Sequence, residues 1–347
     1  MGRLKPAPTG FETRVEMATL DVVAPGLLTT IQDRGRWGWQ CRGVPVAGPM
    51  DPCSHRVANM LVGNEADAAA LEVTLVGPEL RFEDERLAAV AGAEFDVTVD
   101  GRPMPMNAPF VAPSGSLLRF GPRHRGVRAY LAVAGGIAVA RVFGSRATHL
   151  LSAMGGVDGR SLRAGDRLPL GKRGRESFPL GSPSGPESAE SGAFPGLKTR
   201  PVPFSLPAGR ATVRVLPGPH LERFASDALD VLQSAPYLVD ARSDRMGFRL
   251  AGPPLTHVRG ADIISDAMPL GALQVPSSGQ PILLMADRQT TGGYPAVATV
   301  ISADISLAGQ LGPGDSISFA VSSLREAIAA LIAQERTLMM IESGAGR

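Results

Sequence analysis

A mainly β protein with a few helices, arranged as barrels or sandwiches, is what this sequence predicts. Three observations carry the expectation. The 30 Pro and 41 Gly residues punctuate the chain at intervals of about 8–12 residues. Between them lie short runs rich in Val, Ile, Leu and Thr, side chains that suit a pleated, half-buried surface. Apolar positions at helical spacing are confined to a few segments with their own start and stop signals.

The expected strands are Leu87–Ala91, Phe95–Val99, Leu117–Phe120 and Arg128–Ala134, then Thr212–Leu216, Ile282–Ala286, Val297–Ser302 and Ser316–Val321. The stretch from Ala129 to Ala140 is nearly uncharged, but two glycines interrupt it and it is too short for a bilayer. It reads as a buried strand pair around a turn. Asp51-Pro52 supplies an N-cap and a first-turn proline, Val57, Met60 and Leu61 follow on one face, and Gly63-Asn64 stops the helix. Leu221 to Gln233 is expected as a second helix, closed by Pro236. Ser323 and Glu326 form a capping box before Leu324, Ile328, Leu331 and Ile332.

Composition narrows the function. Apolar residues make up 44% and charged residues 20%, as in an ordered globular protein. Net charge is +2, the basic residues are scattered among acids, and only three Tyr and two Trp are available for stacking. Neither nucleic acid nor membrane is an expected partner. Only three of the 35 basic residues are Lys (Lys5, Lys172 and Lys198), and none follows a Met, so no covalently attached biotin is expected. Residues 1–16 lack an apolar core and a small-residue cleavage site. They read as a flexible N-terminal extension of a cytoplasmic protein, in which Cys41 and Cys53 stay as free thiols.

Four segments are expected in order. The extension 1–16 precedes an N-terminal β domain over 17–171 and a Gly-, Ser- and Pro-rich linker or loop over 172–205. A C-terminal β-barrel domain with a terminal helix covers 206–335. Leu162–Leu168 echoes Leu311–Ile317, and Asp33-Arg34 leading to Gly38-Trp39 echoes Asp244-Arg245 leading to Gly247-Phe248. A duplicated barrel and two uses of one Gly-Asp turn both explain this.

Chemistry concentrates at Met285 to Pro295, where an apolar strand runs into Asp287, Arg288, Gln289, Thr290, Thr291, Gly292, Gly293 and Tyr294. Adjacent glycines allow the alternating φ signs of an anion-binding backbone nest around Thr290–Gly293. Asp287 suits a base or metal ligand, and Arg288 a carboxylate or phosphate clamp. A polar β-turn with an internal Asp–Arg pair explains the same residues. Arg242 to Gly247 holds two arginines around Asp244 at a strand mouth, fit for a carboxylate or for a surface ion-pair turn. Asp262 and Asp266 bracket apolar residues, fit to hold Mg2+ with bound waters or equally explained by alternating strand exposure, and Thr29 to Arg36, near Trp37 and Trp39, reads as a binding lip or a turn-rich loop. A P-loop and a G-x-S-x-G elbow are absent, and the five histidines are isolated, so no metal centre is expected.

Several of these runs, taken together and in order, resemble the KipA-like family. They are Thr30–Gly35, Gly43–Asp51, Leu61–Asn64, Ala70–Thr74, Ala129–Gly136, Arg242–Gly247 and Gln289–Pro295, spanning about Leu20 to Phe319. Members of the family are also called the C component of 5-oxoprolinase, biotin-dependent carboxyltransferase and the second component of allophanate hydrolase. The resemblance implies two cyclophilin-like β-barrel domains, a KipI-like B component of related fold and a separate A component. It implies conversion of 5-oxoproline to L-glutamate by the complex, with ATP and Mg2+ used at the level of the complex. Two other readings stand beside it: urea carboxylase-like transfer of a carboxyl group from carboxybiotin to a small amide, and non-catalytic regulation through a kinase-inhibitor-like partner. The site residues it implies are Gln32, Asp33, Asp244, Arg245, Asp287, Gln289, Thr290 and the 291–294 turn. Arg245 and the turn amides would hold an anion, and Asp287 or Asp244 would orient the amide or a metal.

Overall fold

The computed structural model describes residues 17–172 and 205–345. The expected N-terminal extension and residues 173–204 of the expected linker lie outside the described residues.

The first half opens with β1 (Thr19–Ala24), β2 (Leu28–Gln32) and helix α1 (Pro52–Leu61). Strands β3 (Ala70–Thr74), β4 (Glu79–Phe82), β5 (Arg86–Val99), β6 (Arg102–Met104), β7 (Pro109–Ala112), β8 (Leu117–Val133) and β9 (Arg167–Pro169) follow. They form one nine-stranded sheet in the order β2-β3-β8-β4-β1-β9, with β5 joining β8 to β6 and β7. Two pairs of short expected strands are each one long strand. The runs at Leu87 and Phe95 fuse into β5, and those at Leu117 and Arg128 into β8, because register shifts between Gly92 and Val97 let β5 bend without ending. Gly135 and Gly136 turn the chain after β8, but only an isolated bridge from Ile137 to Leu170 follows. Leu20, Ile31, Leu71, Phe82, Val90 and Phe110 fill this half's core.

The second half contains β10 (Arg210–Pro217), α2 (Ala228–Ser234), β11 (Tyr237–Val239), β12 (Gly247–Ala251), β13 (Asp266–Ala267), β14 (Ala272–Gln274) and β15 (Ile282–Leu284). It ends with β16 (Thr291–Gly292), β17 (Ala296–Val300), α3 (Ile305–Gly309), β18 (Ser316–Val321) and α4 (Leu324–Ala345). Seven strands close a barrel in the order β10-β17-β14-β15-β12-β11-β18. The parallel pairing of β10 with β18 completes the closure, which leaves no unpaired edge on the barrel. The second expected helix is shorter than its apolar pattern. Phe224 is extended and stacks on His257 at 4.8 Å, and Ala225 donates to the Thr256 carbonyl, so α2 begins only at Ala228.

Both sequence echoes adopt one local hydrogen-bond pattern each. Asp166 accepts from the Arg163 amide and Asp315 from the Gly312 amide, each just before a strand. Likewise Asp33 accepts from Gly35 N–H and Asp244 from Met246 N–H, two residues on in each case.

Met50 and helix α4 help to bind the halves. Met50 of the first half is fully buried in the core of the barrel. Helix α4, capped as expected by Ser323 and Glu326, leaves the barrel and buries Leu338 and Ile341 against α1 and the first sheet. Arg56 on α1 pairs with Glu335 on α4 at 2.6 Å.

Candidate functional site

The two halves meet on a buried charged network centred on Arg245. This residue follows the Asp244 turn before β12, and its side chain is 4% exposed. Its Nε and one Nη donate to both Asp287 carboxylate oxygens at 3.0 and 2.9 Å, a fork-to-fork pair. The same Nη also donates to the Gly48 carbonyl at 2.6 Å, and the other donates to Glu72 on β3. Glu72 in turn accepts from the Tyr130 hydroxyl at 2.7 Å and the Met50 amide at 2.8 Å. Burial alone would raise the Glu72 carboxyl, but the Arg245 and Arg128 guanidiniums overcome it and hold it below the usual range. Burial also works against the Arg245 charge, and the Asp287 and Glu72 carboxylates reverse that, raising its pKa.

A second layer surrounds this centre. Asp51 caps α1 through Ser54 and accepts from the Gln310 amide at 2.7 Å. Gln310 donates as well to the Arg128 carbonyl, and Arg128 donates to the carbonyls of Gly309 and Leu311. His149 lies against the Asp287 carbonyl at 3.3 Å.

Two clefts flank residues 285–288. The larger, about 720 Å³, is lined by Arg34, Trp37, His55, Arg56, Arg288, Ser302, Ser306 and Glu335 among others, with α4 along one wall. The second, about 500 Å³, has Asp244, Arg245 and Asp287 beside Leu27, Leu75, Leu150, Leu151 and Met246. Ligand-sized concavities with a few charged groups in apolar walls are the usual form of small-molecule sites.

The structure therefore brings together three of the residues singled out in the sequence, Asp244, Arg245 and Asp287, and distributes the rest nearby. Gln32 is fully buried and donates to Thr30 and the Thr148 carbonyl, and its side-chain oxygen has no partner among the described residues. Asp33 is spent on the Gly35 and Arg146 amides and the Ser145 hydroxyl. Gln289 donates to Gln274 at 3.0 Å, and Gln274 reaches the Tyr294 carbonyl. Thr291 and Gly292 pair with β13, and Thr290 accepts from Met268 N–H. Neither Gly292 nor Gly293 has left-handed backbone, so the alternating-sign nest does not form and the segment is a short ribbon. Tyr294 is exposed. Arg242 pairs with Asp240 on the surface, and Asp266 lies 3.7 Å from His220. No cluster of three or more His, Cys, Asp or Glu able to hold a metal occurs among the described residues.

Sequence reasoning assigned no role of their own to Glu72, Tyr130, Gln310 and Arg36. Glu72 left one signal: it is a lone carboxylate inside the apolar run Ala70–Thr74, all of which is buried. Arg36 is 1% exposed. It donates to the carbonyls of Val142 and Ala147. Burial lowers its pKa against the pull of Asp33 and Asp287. Gly155 closes over it with φ +69°, where an added Cβ would lie 2.1 Å from the Ala147 carbonyl oxygen.

A nine-stranded sheet and a closed barrel joined across a charged seam define a class: two-part β proteins with clefts where the parts meet. Residues 42–321 match the model of the carboxyltransferase domain, subdomains A and B. The chain belongs to that family. It is 38% identical to the C component of the Escherichia coli 5-oxoprolinase, over 91% of this chain and 96% of that protein. It is 34% identical to the urea amidolyase of Lachancea kluyveri over 93% of this chain, but spans only 18% of that protein. The crystal structure of the K. lactis urea amidolyase superposes with a TM-score of 0.84 at 30% identity, over 95% of this chain and 20% of that one.

Proposed function

We propose that this chain is the C component of an ATP-dependent 5-oxoprolinase, acting with its A and B components to convert 5-oxoproline to L-glutamate in the cytoplasm. The observation that carries the reading is its near end-to-end likeness to a protein named for that role, 38% identical over 96% of its length. The seam between the halves is the proposed site. Asp287, Asp244 and Gln289 are its candidate reacting or orienting groups, and Gln32, Asp33, Arg245 and residues 290–294 are the binding surroundings. Arg245 is already neutralised by two carboxylates, so its contribution is to hold Asp287 of its own half in place while reaching across the seam to Glu72. On this reading ATP, with Mg2+, is used at the level of the complex.

One observation favours a second reading, transfer of a carboxyl group from carboxybiotin to a small amide. The superposition on the urea amidolyase covers 95% of this chain. No Met-Lys site exists here, so biotin would arrive on another carrier.

The test is glutamate release from 5-oxoproline by this chain combined with its A and B components, with and without ATP. ATP-dependent release that is lost when this chain is omitted supports the first reading. No release from a folded, co-purifying complex overturns it and moves carboxyl transfer to first place.

A further inference from the structure

We infer that Arg288 anchors a small carboxylate-type oxyanion in the larger inter-domain cleft. The starting point is an imbalance among the buried arginines. Arg245 has two carboxylates, Arg86 has Asp84 and two carbonyls, Arg128 has two carbonyls beside Glu72, and Arg36 has two carbonyls with Asp33 and Asp287 acting on its charge. Arg288 is buried to 8% exposure, yet among the described residues its one hydrogen bond runs from Nε to the Met268 carbonyl at 3.0 Å. No carboxylate of the described residues pairs with it. A guanidinium has five N–H donors, so both terminal nitrogens are left without a partner among the described residues. They are not among the sealed, partnerless polar atoms, and the residue lines the cleft of about 720 Å³. The unused face of the fork therefore opens into that space.

Burial lowers the Arg288 pKa to about 10, so the group is still charged at neutral pH. An uncompensated buried cation is costly unless a counter-charge enters. The cleft supplies no such charge itself, because Glu335, which lines it, is taken by Arg56. Arg34 adds a second cation without an ion pair among the described residues, and the Ser302 and Ser306 side chains add hydroxyls. Trp37, Leu270 and Ile305 contribute apolar wall. A planar anion on a compact body fits this chemistry, since a carboxylate meets the two terminal nitrogens of a guanidinium in parallel.

Two sources present that anion: the carboxylate of an organic substrate such as 5-oxoproline, and bicarbonate. Naming 5-oxoproline rests on the oxoprolinase reading, whereas anion binding does not. The probe is the fluorescence of the full chain, whose two tryptophans include Trp37 at the cleft. The titrants, at constant ionic strength, are 5-oxoproline, bicarbonate and the uncharged lactam 2-pyrrolidinone. At least one anion saturates the signal, and the uncharged lactam binds at least about tenfold more weakly than 5-oxoproline if the organic acid is the ligand. Arg288→Gln weakens the anion by about tenfold or more, and Arg288→Lys, a point charge without the fork, retains part of it. A response to 5-oxoproline alone assigns the organic carboxylate, and a response to bicarbonate alone assigns the inorganic one. Saturation by neither anion, or an Arg288→Gln protein that binds like the wild type, overturns the proposal. Removing an unpaired buried charge leaves the fold intact, which circular dichroism of Arg288→Gln checks. In the assembled enzyme Arg288→Gln raises KM for 5-oxoproline about tenfold with kcat changed less than about threefold. A wild-type complex that releases no glutamate would sink the oxoprolinase reading and leave the binding result standing.

Discussion

Arg245 shows how one side chain couples the two halves of the fold. Its guanidinium joins Asp287 of the barrel to Glu72 of the first sheet with almost no solvent present. A buried pair of this kind contributes little net stability when complete, but is costly to break, because the abandoned charges stay buried. Arg245→Leu is therefore expected to destabilise the protein by about 3–5 kcal/mol in urea unfolding. Combining it with Glu72→Gln should cost less than the sum of the two single changes, with a coupling above about 0.5 kcal/mol. Strict additivity would show that the two residues do not act as a pair. Arg245 and Asp287 stood out in the sequence because each sits at the mouth of an apolar strand. Glu72 did not, since a carboxylate in the middle of a strand normally faces water.

At the scale of elements, α4 has the largest structural reach. Its N-terminal capping box lies at the end of β18, and its far turns bury Leu338 and Ile341 beside α1. The cap was legible because helix starts are written locally, but the four apolar residues read with it, Leu324, Ile328, Leu331 and Ile332, stay exposed. The docking was not, because the apolar stripe of α4 is wider than the strip it buries: Leu324, Ile328 and Met339 stay exposed. Leu338→Ala should cost about 2–5 kcal/mol, as for other buried Leu truncations. Ser323→Ala should cost about 1 kcal/mol. Urea titrations of both proteins check the order, and a Ser323→Ala loss as large as that of Leu338→Ala would contradict the assigned packing. The expected helix from Leu221 begins only at Ala228 for the complementary reason. Its period is helical, but stacking of Phe224 on His257 and the bond from Ala225 to Thr256 hold the chain extended there.

For the whole molecule, acid is expected to loosen the seam. His55 is buried with its Nε2 against the Gln32 carbonyl, and burial lowers its pKa. The native state thus keeps it neutral while the unfolded chain binds a proton below about pH 6.5. Stability is present in full above that value and falls as pH drops toward the lowered native pKa, by up to about 1.4 kcal/mol per pH unit. Glu72 is also depressed, so its contribution holds above about pH 4.3, the unfolded value, and is lost as pH falls through the native one. Urea midpoints measured from pH 7 to 5 should decline in the wild type and flatten in His55→Gln, which retains a donor for the Gln32 carbonyl. An unchanged slope in that variant would assign the decline to other groups.

The sequence by itself determined the mainly β class, the helix caps, the turn chemistry of Asp33, Asp166, Asp244 and Asp315, and the clustering of polar groups after β15. Each is a local matter, set by residue type, period and neighbours within a few positions. Only the tertiary structure decided which of those groups meet. Whether β5 is one strand or two depended on bulges paired across to β8. Whether Gly292 and Gly293 cradle an anion depended on the pairing of β16 with β13. The charged seam and both clefts are made by residues far apart in the chain. Burial and partnering of a charge are properties of the assembled neighbourhood, and no window of sequence contains them.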